Sequence, residues 1–253
     1  RGLGDVYKRQ IVPFLRRLGA RRIDLFVLSH PDQDHVGGFE AVHQSVPVFR
    51  ILDSGHAVPR ASYGRFLARA EEDGIRWLAA ADGDAITLDG TMIQVLGPPP
   101  HTGSGVQTDG TNESSLLLRT SIDRALVYLN TGDATVEEEV ELLSRIEPAT
   151  LQADVMKVGH HGSRTSTSAE FLAAVRPVLA VVSSGRRNRY GHPHPEVVRR
   201  LSEGGVPRLW RTDRDGTLCV EIDRRRGWRI AGEDKWVRSL PLARVLTSQR
   251  GEK

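Results

Sequence analysis

A predicted buried strand that ends in a dense polar run constrains this chain more than any other feature. Residues 23–28 (IDLFVL) have the apolar pattern of a buried strand. Residues 29–38 (SHPDQDHVGG) follow directly and carry four side chains that can bind metal: His30, Asp32, Asp34 and His35. Imidazoles and carboxylates packed this densely cannot all satisfy one another, whereas a divalent cation would satisfy them. We therefore predict a metal site at this strand end, with a solvated polar turn as the alternative.

Composition limits the chain to one large or two small globular domains. Its 253 residues are 39% hydrophobic and 26% charged, as in ordinary folded proteins. No apolar run in the sequence approaches the ~20 residues that span a bilayer. The single cysteine, Cys219, excludes a disulfide within the chain and a zinc–thiolate cluster. Its strand-like surroundings predict a thiol packed in the core.

Positive charge in this chain comes almost entirely from arginine. The formal net charge is +3, and the sequence has only four lysines. The planar fork of arginine suits phosphate better than an ammonium group does. The bias is therefore compatible with a phosphate-rich partner, although codon usage in a GC-rich genome explains it equally well.

Strand-like and helix-like segments alternate along the chain, which predicts an α/β fold of two sheets with helices outside. Asp89-Gly90 lies between two strand-like runs and predicts a hairpin turn. Thr135, with Glu138 three positions later, predicts the start of a helix. The only change in composition that suggests a boundary is a basic, weakly patterned stretch after Arg224.

Three further strand ends carry the same chemistry as residues 29–38. Residues 129–133 (LNTGD) end in Asp133, and residues 158–163 (VGHHGS) contain adjacent histidines. Residues 190–195 (YGHPHP) carry two more histidines just before a predicted helix. Strand ends in layered α/β folds converge on one cleft, so the four patches together predict one site. Taken alone, Asp133 would more often cap a helix, and one of the paired histidines would be structural.

The pattern His30-x-Asp32-x-Asp34-His35 resembles the His-x-His-x-Asp-His signature of the metallo-β-lactamase superfamily, with Asp in place of its second His. Combined with residues 158–163 and 190–195, it resembles the C-terminal hydrolase domain of the ComEC family. Members of that family are membrane channels that import single-stranded DNA during natural competence. The resemblance runs from about residue 12 to about residue 220, and it implies an αββα sandwich.

The resemblance also implies how the chain is organised. Residues 1–9 are expected to be non-native or disordered, residues 10–230 to form the hydrolase domain, and residues 231–253 to form a basic tail. The strands that normally open the family domain are missing, which predicts an N-terminal truncation. The fragment is expected to be soluble and cytoplasmic, whereas the full-length family protein lies in the bacterial inner membrane.

Two divalent ions are implied by the same resemblance. One would be held by His30, Asp32 and Asp133, and the other by Asp34, His35, Asp133 and one of His160 and His161. Asp133 can bridge the ions because a carboxylate has two oxygens. Two such ions activate water and stabilise charge at phosphorus. Asp32 makes the site harder than a histidine would, so Mn²⁺ is predicted over Zn²⁺, with Zn²⁺ still possible.

Other residues near these patches are candidates for catalysis or for substrate binding. His192 and His194 could clamp a phosphate or protonate a leaving oxygen. A structural role at the helix start is the alternative for these two histidines. Asp34 is also predicted to be catalytic. Candidate substrate-binding residues are Asn112, Lys157, Ser163, Arg186, Arg187 and Arg189. The alternatives are structural. The lysine could form an ion pair, the serine-rich loop could cap a helix, and the arginines could lie on a solvated loop.

The leading functional hypothesis is a metal-dependent phosphodiesterase that cuts DNA, either single-stranded DNA or the strand that is not imported. A hydrolase of a small phosphodiester, lactone or thioester is a second hypothesis, since the same scaffold serves many substrates. A non-catalytic DNA-binding or gating module attached to a channel is a third. The full set of ligands argues against the third, because a binding module does not need it.

Overall fold

The structure of the chain is a computed structural model that describes residues 9–56, 58–99 and 114–238. Its contacts divide the chain into two units. Unit 1 is Arg1–Ala81 with Pro98–Leu116, and unit 2 is Asp82–Gly97 with Leu117–Lys253. Strands and helices alternate through the described residues of both units, which confirms the predicted α/β class.

Unit 1 contains a parallel three-stranded sheet in the order β1-β2-β3. Its strands are β1 (Phe26–Val27), β2 (Arg50–Asp53) and β3 (Arg76–Ala79). The helices of this unit are α1 (Ile11–Arg17), α2 (Gln33–Val36), α3 (Phe39–His43) and α4 (Ala61–Glu72). Ile23 extends the sheet through an isolated parallel bridge to Val48, so the predicted strand at residues 23–28 is present in interrupted form.

The core of unit 1 is built around aromatic side chains from its helices. Helix α4 buries Tyr63, Phe66 and Ala70, which share one face because they are three or four positions apart. Phe66 meets Phe39 of α3 edge-on, with ring centroids 4.6 Å apart. This packing fixes the start of α4 relative to β1 and to α3, the elements that flank residues 29–38.

Unit 2 contains a seven-stranded sheet in the order β10-β9-β8-β7-β6-β5-β4. Its strands are β4 (Ala85–Leu88), β5 (Thr91–Gly97), β6 (Leu117–Ile122), β7 (Leu126–Asn130), β8 (Val155–Lys157), β9 (Leu179–Val182) and β10 (Arg208–Arg211). Strands β4 to β7 are antiparallel neighbours, whereas β7 to β10 are parallel. The carboxyl ends of β7, β8 and β9 therefore lie at one edge of the sheet.

Helices connect the parallel strands of unit 2, and one more follows the last of these strands. They are α5 (Val136–Arg145), α6 (Pro148–Leu151), a 3₁₀ turn (Gly159–Gly162), α7 (Ala169–Val175), α8 (Pro195–Glu203) and α9 (Thr212–Asp215). Thr135 and Glu138 form the predicted capping box at the start of α5. Asp89 and Gly90 form the predicted hairpin turn, with φ of 41° and 81°. The positive φ at both positions is what an Asp-Gly turn between twisted strands requires.

Cys219 is exposed, which corrects the prediction of a buried thiol. Leu218, Val220 and Ile222 pack against the core of unit 2. Cys219 alternates with them and shares the exposed side with Glu221, because successive residues of an extended chain point to opposite faces. The alternating sequence predicted an extended backbone at Cys219, but not the side of that backbone on which the thiol lies.

The stretch after Arg224 is not a weakly patterned tail throughout, because it includes a further strand. Strand β12 (Gly227–Ile230) pairs antiparallel with β11 (Val220–Asp223) in a two-stranded sheet, so the described residues contain three sheets rather than two. Trp228 is only 1% exposed. The flanking arginines conceal an alternation in which Trp228 and Ile230 share the buried face.

Candidate metal centre

The metal-capable residues of unit 1 lie between the end of β1 and the first turn of α2. The backbone carbonyl of Asp32 accepts hydrogen bonds from the amides of His35 and Val36, and this closes α2 directly after Asp32. The single turn of helix brings the rings of His30 and His35 together, with centroids 3.9 Å apart. His30 is almost fully buried, at 1% exposure. A strand end and one helical turn thus cluster two imidazoles and two carboxylates.

Serine hydroxyls orient these two imidazoles. The Oγ of Ser29 lies 3.2 Å from Nδ1 of His30 and 3.0 Å from Nδ1 of His35. The Oγ of Ser115 lies 3.4 Å from the same nitrogen of His30. The chain brings Ser115 there because the amide of Leu116 donates to the carbonyl of Ser29. Hydroxyls at Nδ1 direct Nε2 of each ring toward the neighbouring carboxylate.

Each Nε2 atom faces a carboxylate oxygen beyond hydrogen-bond distance. His30 Nε2 lies 3.9 Å from Asp32 Oδ2, and His35 Nε2 lies 3.8 Å from Asp34 Oδ2. The other oxygen of Asp32, Oδ1, pairs with Nη1 of Arg60 at 2.7 Å. Imidazole nitrogens beside carboxylate oxygens form a mixed donor set that suits divalent transition metals.

The metal-capable residues of unit 2 follow the parallel strands β7 and β8. Asp133 comes after β7 and is 2% exposed, and the two histidines come after β8. Asp133 Oδ2 lies 3.3 Å from His161 Nε2 and 3.9 Å from His160 Nε2. The amide of His160 donates to the carbonyl of Gly132, which ties the two strand ends together.

The backbone is strained where the two histidines lie. His160 and His161 have φ of 46° and 54°, in the left-handed region that side chains disfavour. Gly162 follows with φ of 86°, and a Cβ there would lie 2.6 Å from Cβ of Pro193. Such strain persists when the surroundings fix it, and it clusters at functional sites. Here it turns consecutive imidazoles toward Asp133.

A backbone carbonyl orients the ring of His161. Nδ1 of His161 lies 2.9 Å from the carbonyl oxygen of Ser183, which follows β9. A carbonyl only accepts hydrogen bonds, so this nitrogen carries the proton and Nε2 is the atom that can bind a metal. This arrangement is the usual outer support of a metal-binding histidine.

Lys157 is anchored to the turn that carries Asp133. Its Nζ donates to the carbonyl of Gly132 at 2.5 Å and lies 3.5 Å from Asp133 Oδ1. Thr131 completes the turn by donating its hydroxyl to the carbonyl of Lys157. The lysine predicted to bind substrate thus supports the shape of the turn and the charge of Asp133.

A buried carboxylate and a guanidinium from two different helices hold the loop that follows the histidines. The carboxylate of Glu139 accepts hydrogen bonds from the amides of Thr167 and Ser168 at 2.5 and 2.7 Å. Arg200 of α8 donates to the carbonyls of Ser166 and Thr167 at 3.0 and 2.9 Å. Burial raises the pKa of Glu139, while the two amides and Arg200 oppose that rise. Glu139 of α5 therefore holds the amides of this loop, and Arg200 of α8 holds its carbonyls.

His192 and His194 have different surroundings. The ring of His192 lies 6.0 Å from that of His160, centroid to centroid. Burial lowers the pKa of His192, and the neighbouring His160 and His161 lower it further. Nδ1 of His194 instead accepts a hydrogen bond from the amide of Glu196, so this histidine caps α8. Of the two, the structure brings His192 close to the metal-capable residues of unit 2.

Four of the candidate substrate-binding residues lie on two loops of unit 2. Ser163 contacts the hydroxyl of Thr165 at 3.0 Å, in the loop held by Glu139 and Arg200. Arg186, Arg187 and Arg189 are all exposed on the loop after β9. Arg189 lies over the ring of Tyr190, 4.9 Å from its centroid. Asn112 lies outside the described residues.

Sequence reasoning missed the residues that support the candidate ligands. They are Ser29, Arg60, Ser115, Glu139 and Arg200. Only Ser29 offered a signal, because it directly precedes His30. The others lie up to 85 positions from their partners, and nothing in local spacing marks them.

Comparisons with known proteins identify the family. A family model described as the metallo-beta-lactamase superfamily matches residues 2–186. The chain therefore belongs to the metallo-beta-lactamase superfamily, and the predicted fold class is confirmed. The crystal structure of CmlA, a diiron beta-hydroxylase from Streptomyces venezuelae, matches with a TM-score of 0.50 at 14% identity, covering 75% of this chain and 44% of that chain. At this identity the likeness shows the fold alone.

Curated relatives narrow the superfamily to one family. ComE operon protein 3 of Bacillus subtilis is 33% identical over 87% of this chain and 27% of its own length. Competence protein ComA of Neisseria gonorrhoeae is 35% identical over 85% of this chain and 27% of its own length. These relatives confirm the predicted resemblance to the ComEC family, and the chain spans about a quarter of their length. Through the described part of the chain, every helix is too short or too polar to cross a bilayer.

Proposed function

We propose that this domain is a metal-dependent phosphodiesterase that cleaves DNA. The observation that carries the proposal is the pair of His/Asp groups, one in each unit, whose imidazoles are oriented toward carboxylates. Membership of a superfamily of metallo-hydrolases supports metal-dependent hydrolysis. The relatives include a competence protein, which favours DNA as the substrate.

The candidate ligands offer imidazole nitrogens and carboxylate oxygens, which are donor atoms that bind divalent metal ions. We propose the ligands His30, Asp32, Asp34, His35, Asp133 and His161, with His160 as the alternative to His161. Imidazole and carboxylate without thiolate suit Mn²⁺ as well as Zn²⁺, and the carboxylate of Asp32 in place of an imidazole favours Mn²⁺. When bound, two such ions would activate water and stabilise negative charge at phosphorus. We propose two ions because Asp133 has two carboxylate oxygens.

The chain's own residues would prepare this reaction in three ways. Ser29 and Ser115 hold the imidazoles of unit 1, and the carbonyl of Ser183 holds that of His161. The protonated imidazole of His192 would give its proton to the leaving oxygen and become neutral, since its ring lies beside His160, a candidate metal ligand. Exposed arginines of the loop after β9 would attract the phosphate backbone.

The whole relatives are about three times as long as this chain, so their biological setting is part of the proposal. We propose that the domain acts beside a membrane channel region of a competence protein. Its DNA substrate would be single-stranded DNA or the strand that is not imported. The domain itself would then act from the cytoplasmic side of the cell membrane.

Hydrolysis of bis-p-nitrophenyl phosphate tests the chemistry separately from DNA. The wild-type chain and Asp34→Ala are compared with Mn²⁺, with Zn²⁺ and with EDTA. We expect metal-dependent release of nitrophenol by the wild type alone. Hydrolysis only with Zn²⁺ would contradict the preference for Mn²⁺. Equal background release by both proteins would leave a non-catalytic binding module, and release without any DNA cleavage would favour a small-molecule substrate.

A further inference from the structure

Asp32 lies where an aspartate ordinarily caps a helix, but its side chain does not do so. It is the residue before α2, with extended backbone at φ −70° and ψ 151°. Aspartate at this position usually accepts a hydrogen bond from an amide of the first turn. No such side-chain bond is formed here. The carboxylate is therefore not explained by the local structure of α2.

The two oxygens of Asp32 face different groups. Oδ1 pairs with the guanidinium of Arg60 at 2.7 Å, and Oδ2 faces Nε2 of His30 at 3.9 Å. One oxygen is thus held by a cation of the protein. The other is directed to the nitrogen that a metal-binding histidine would use.

Arg60 is well placed to hold a carboxylate in one orientation. It directly precedes α4, and its carbonyl accepts a hydrogen bond from Gly64 while its amide donates to Val58. Helix α4 is fixed by the buried rings of Tyr63 and Phe66. The backbone of Arg60 therefore has a defined position relative to α2, although its side chain is 47% exposed.

We propose that Arg60 is a positioning residue that holds Asp32 in the orientation needed for metal binding. The inference rests on the proposed metal centre. Where the superfamily signature has a neutral imidazole, this chain has an anion, and Arg60 compensates its charge. The guanidinium also restricts rotation of the carboxylate, so that Oδ2 faces the same point as His30 Nε2. Outer partners of this kind typically change metal affinity 10–100-fold.

A double-mutant cycle at positions 32 and 60 tests this inference. Mn²⁺ is titrated calorimetrically into the full chain, without DNA, for the wild type, Arg60→Ala, Asp32→His and the double variant. Arg60→Ala is expected to weaken Mn²⁺ binding ~10–100-fold in the wild type. In the Asp32→His background the same change should alter affinity less than about twofold, because the imidazole offers no anion to Arg60.

Two further variants make the test decisive. Arg65→Ala removes an exposed arginine from α4 and should leave affinity unchanged. Arg60→Lys keeps the charge without the planar fork and should show an intermediate loss. Unchanged affinity in Arg60→Ala, or equal losses in both backgrounds, would overturn the proposal. If the wild-type chain binds no Mn²⁺, both the role of Arg60 and the proposed metal centre are overturned. If positions 32 and 60 remain coupled in Mn²⁺ binding but DNA is not cleaved, only the proposed nuclease activity is refuted.

Discussion

His161 lies between two oxygen atoms, with Nδ1 2.9 Å from the carbonyl of Ser183 and Nε2 3.3 Å from Asp133 Oδ2. The carbonyl fixes the proton on Nδ1, so a lone pair of Nε2 faces a carboxylate. Two electron-rich atoms at this distance are stabilised by a cation. Of the two adjacent histidines, this relationship favours His161 as the metal ligand.

We predict that His161→Ala weakens Mn²⁺ binding more than His160→Ala does. Loss of a ligand should cost at least roughly 100-fold in affinity, the upper end of what losing an outer hydrogen bond costs. Calorimetric titration of Mn²⁺ into each variant measures the difference. A larger loss in His160→Ala would reverse the assignment.

We predict that Glu139→Gln destabilises unit 2. The substituted amide can accept from only one of the amides of Thr167 and Ser168, and its NH₂ would face the other. An unsatisfied buried donor costs about 1–3 kcal/mol. Urea unfolding should show this loss. Glu141→Gln on the same helix is the control, because its pair with Arg145 is partly exposed, at 42% for the Glu141 side chain, and worth about 1 kcal/mol or less. Equal effects would show that Glu139 does not hold the loop.

We predict that Asp53 makes unit 1 less stable as the pH rises through the weakly acidic range. Burial raises its pKa to about 6, although the Tyr63 hydroxyl and the Gly55 amide both donate to its carboxylate. The folded state then binds the proton more tightly than the unfolded state. The free energy of unfolding should therefore fall between about pH 4 and pH 6, by up to about 3 kcal/mol.

Unfolding of Asp53→Asn measured from pH 4 to pH 7 isolates this contribution. The amide cannot ionise, so the fall in stability should shrink by the amount due to Asp53. Asp24→Asn is the matched control, because Asp24 is exposed and half of its side chain is in solvent. An unchanged pH profile in Asp53→Asn would refute the raised pKa.

The candidate ligands were predictable from the sequence because they are local. Asp32, Asp34 and His35 fall within one turn, and the other candidate ligands directly follow predicted strands. The order of strands β7 to β9 explains why Asp133 and His161 meet, as layered α/β folds lead one to expect. The supporting groups were not predictable, since Arg60 and Ser115 reach their partners only through the packing of distant segments. Cys219 and Trp228 show a second limit: an alternating pattern predicts a strand, but not which face is buried when arginines flank it.

Cleavage of DNA in the presence of Mn²⁺, by the wild type beside Asp34→Ala, tests the central claim most directly. Labelled single-stranded and double-stranded DNA are incubated with each protein, with EDTA as the metal-free control. The account predicts Mn²⁺-dependent cleavage by the wild type, lost in Asp34→Ala and in EDTA. Cleavage that is equal in the two proteins, or that persists in EDTA, would contradict it.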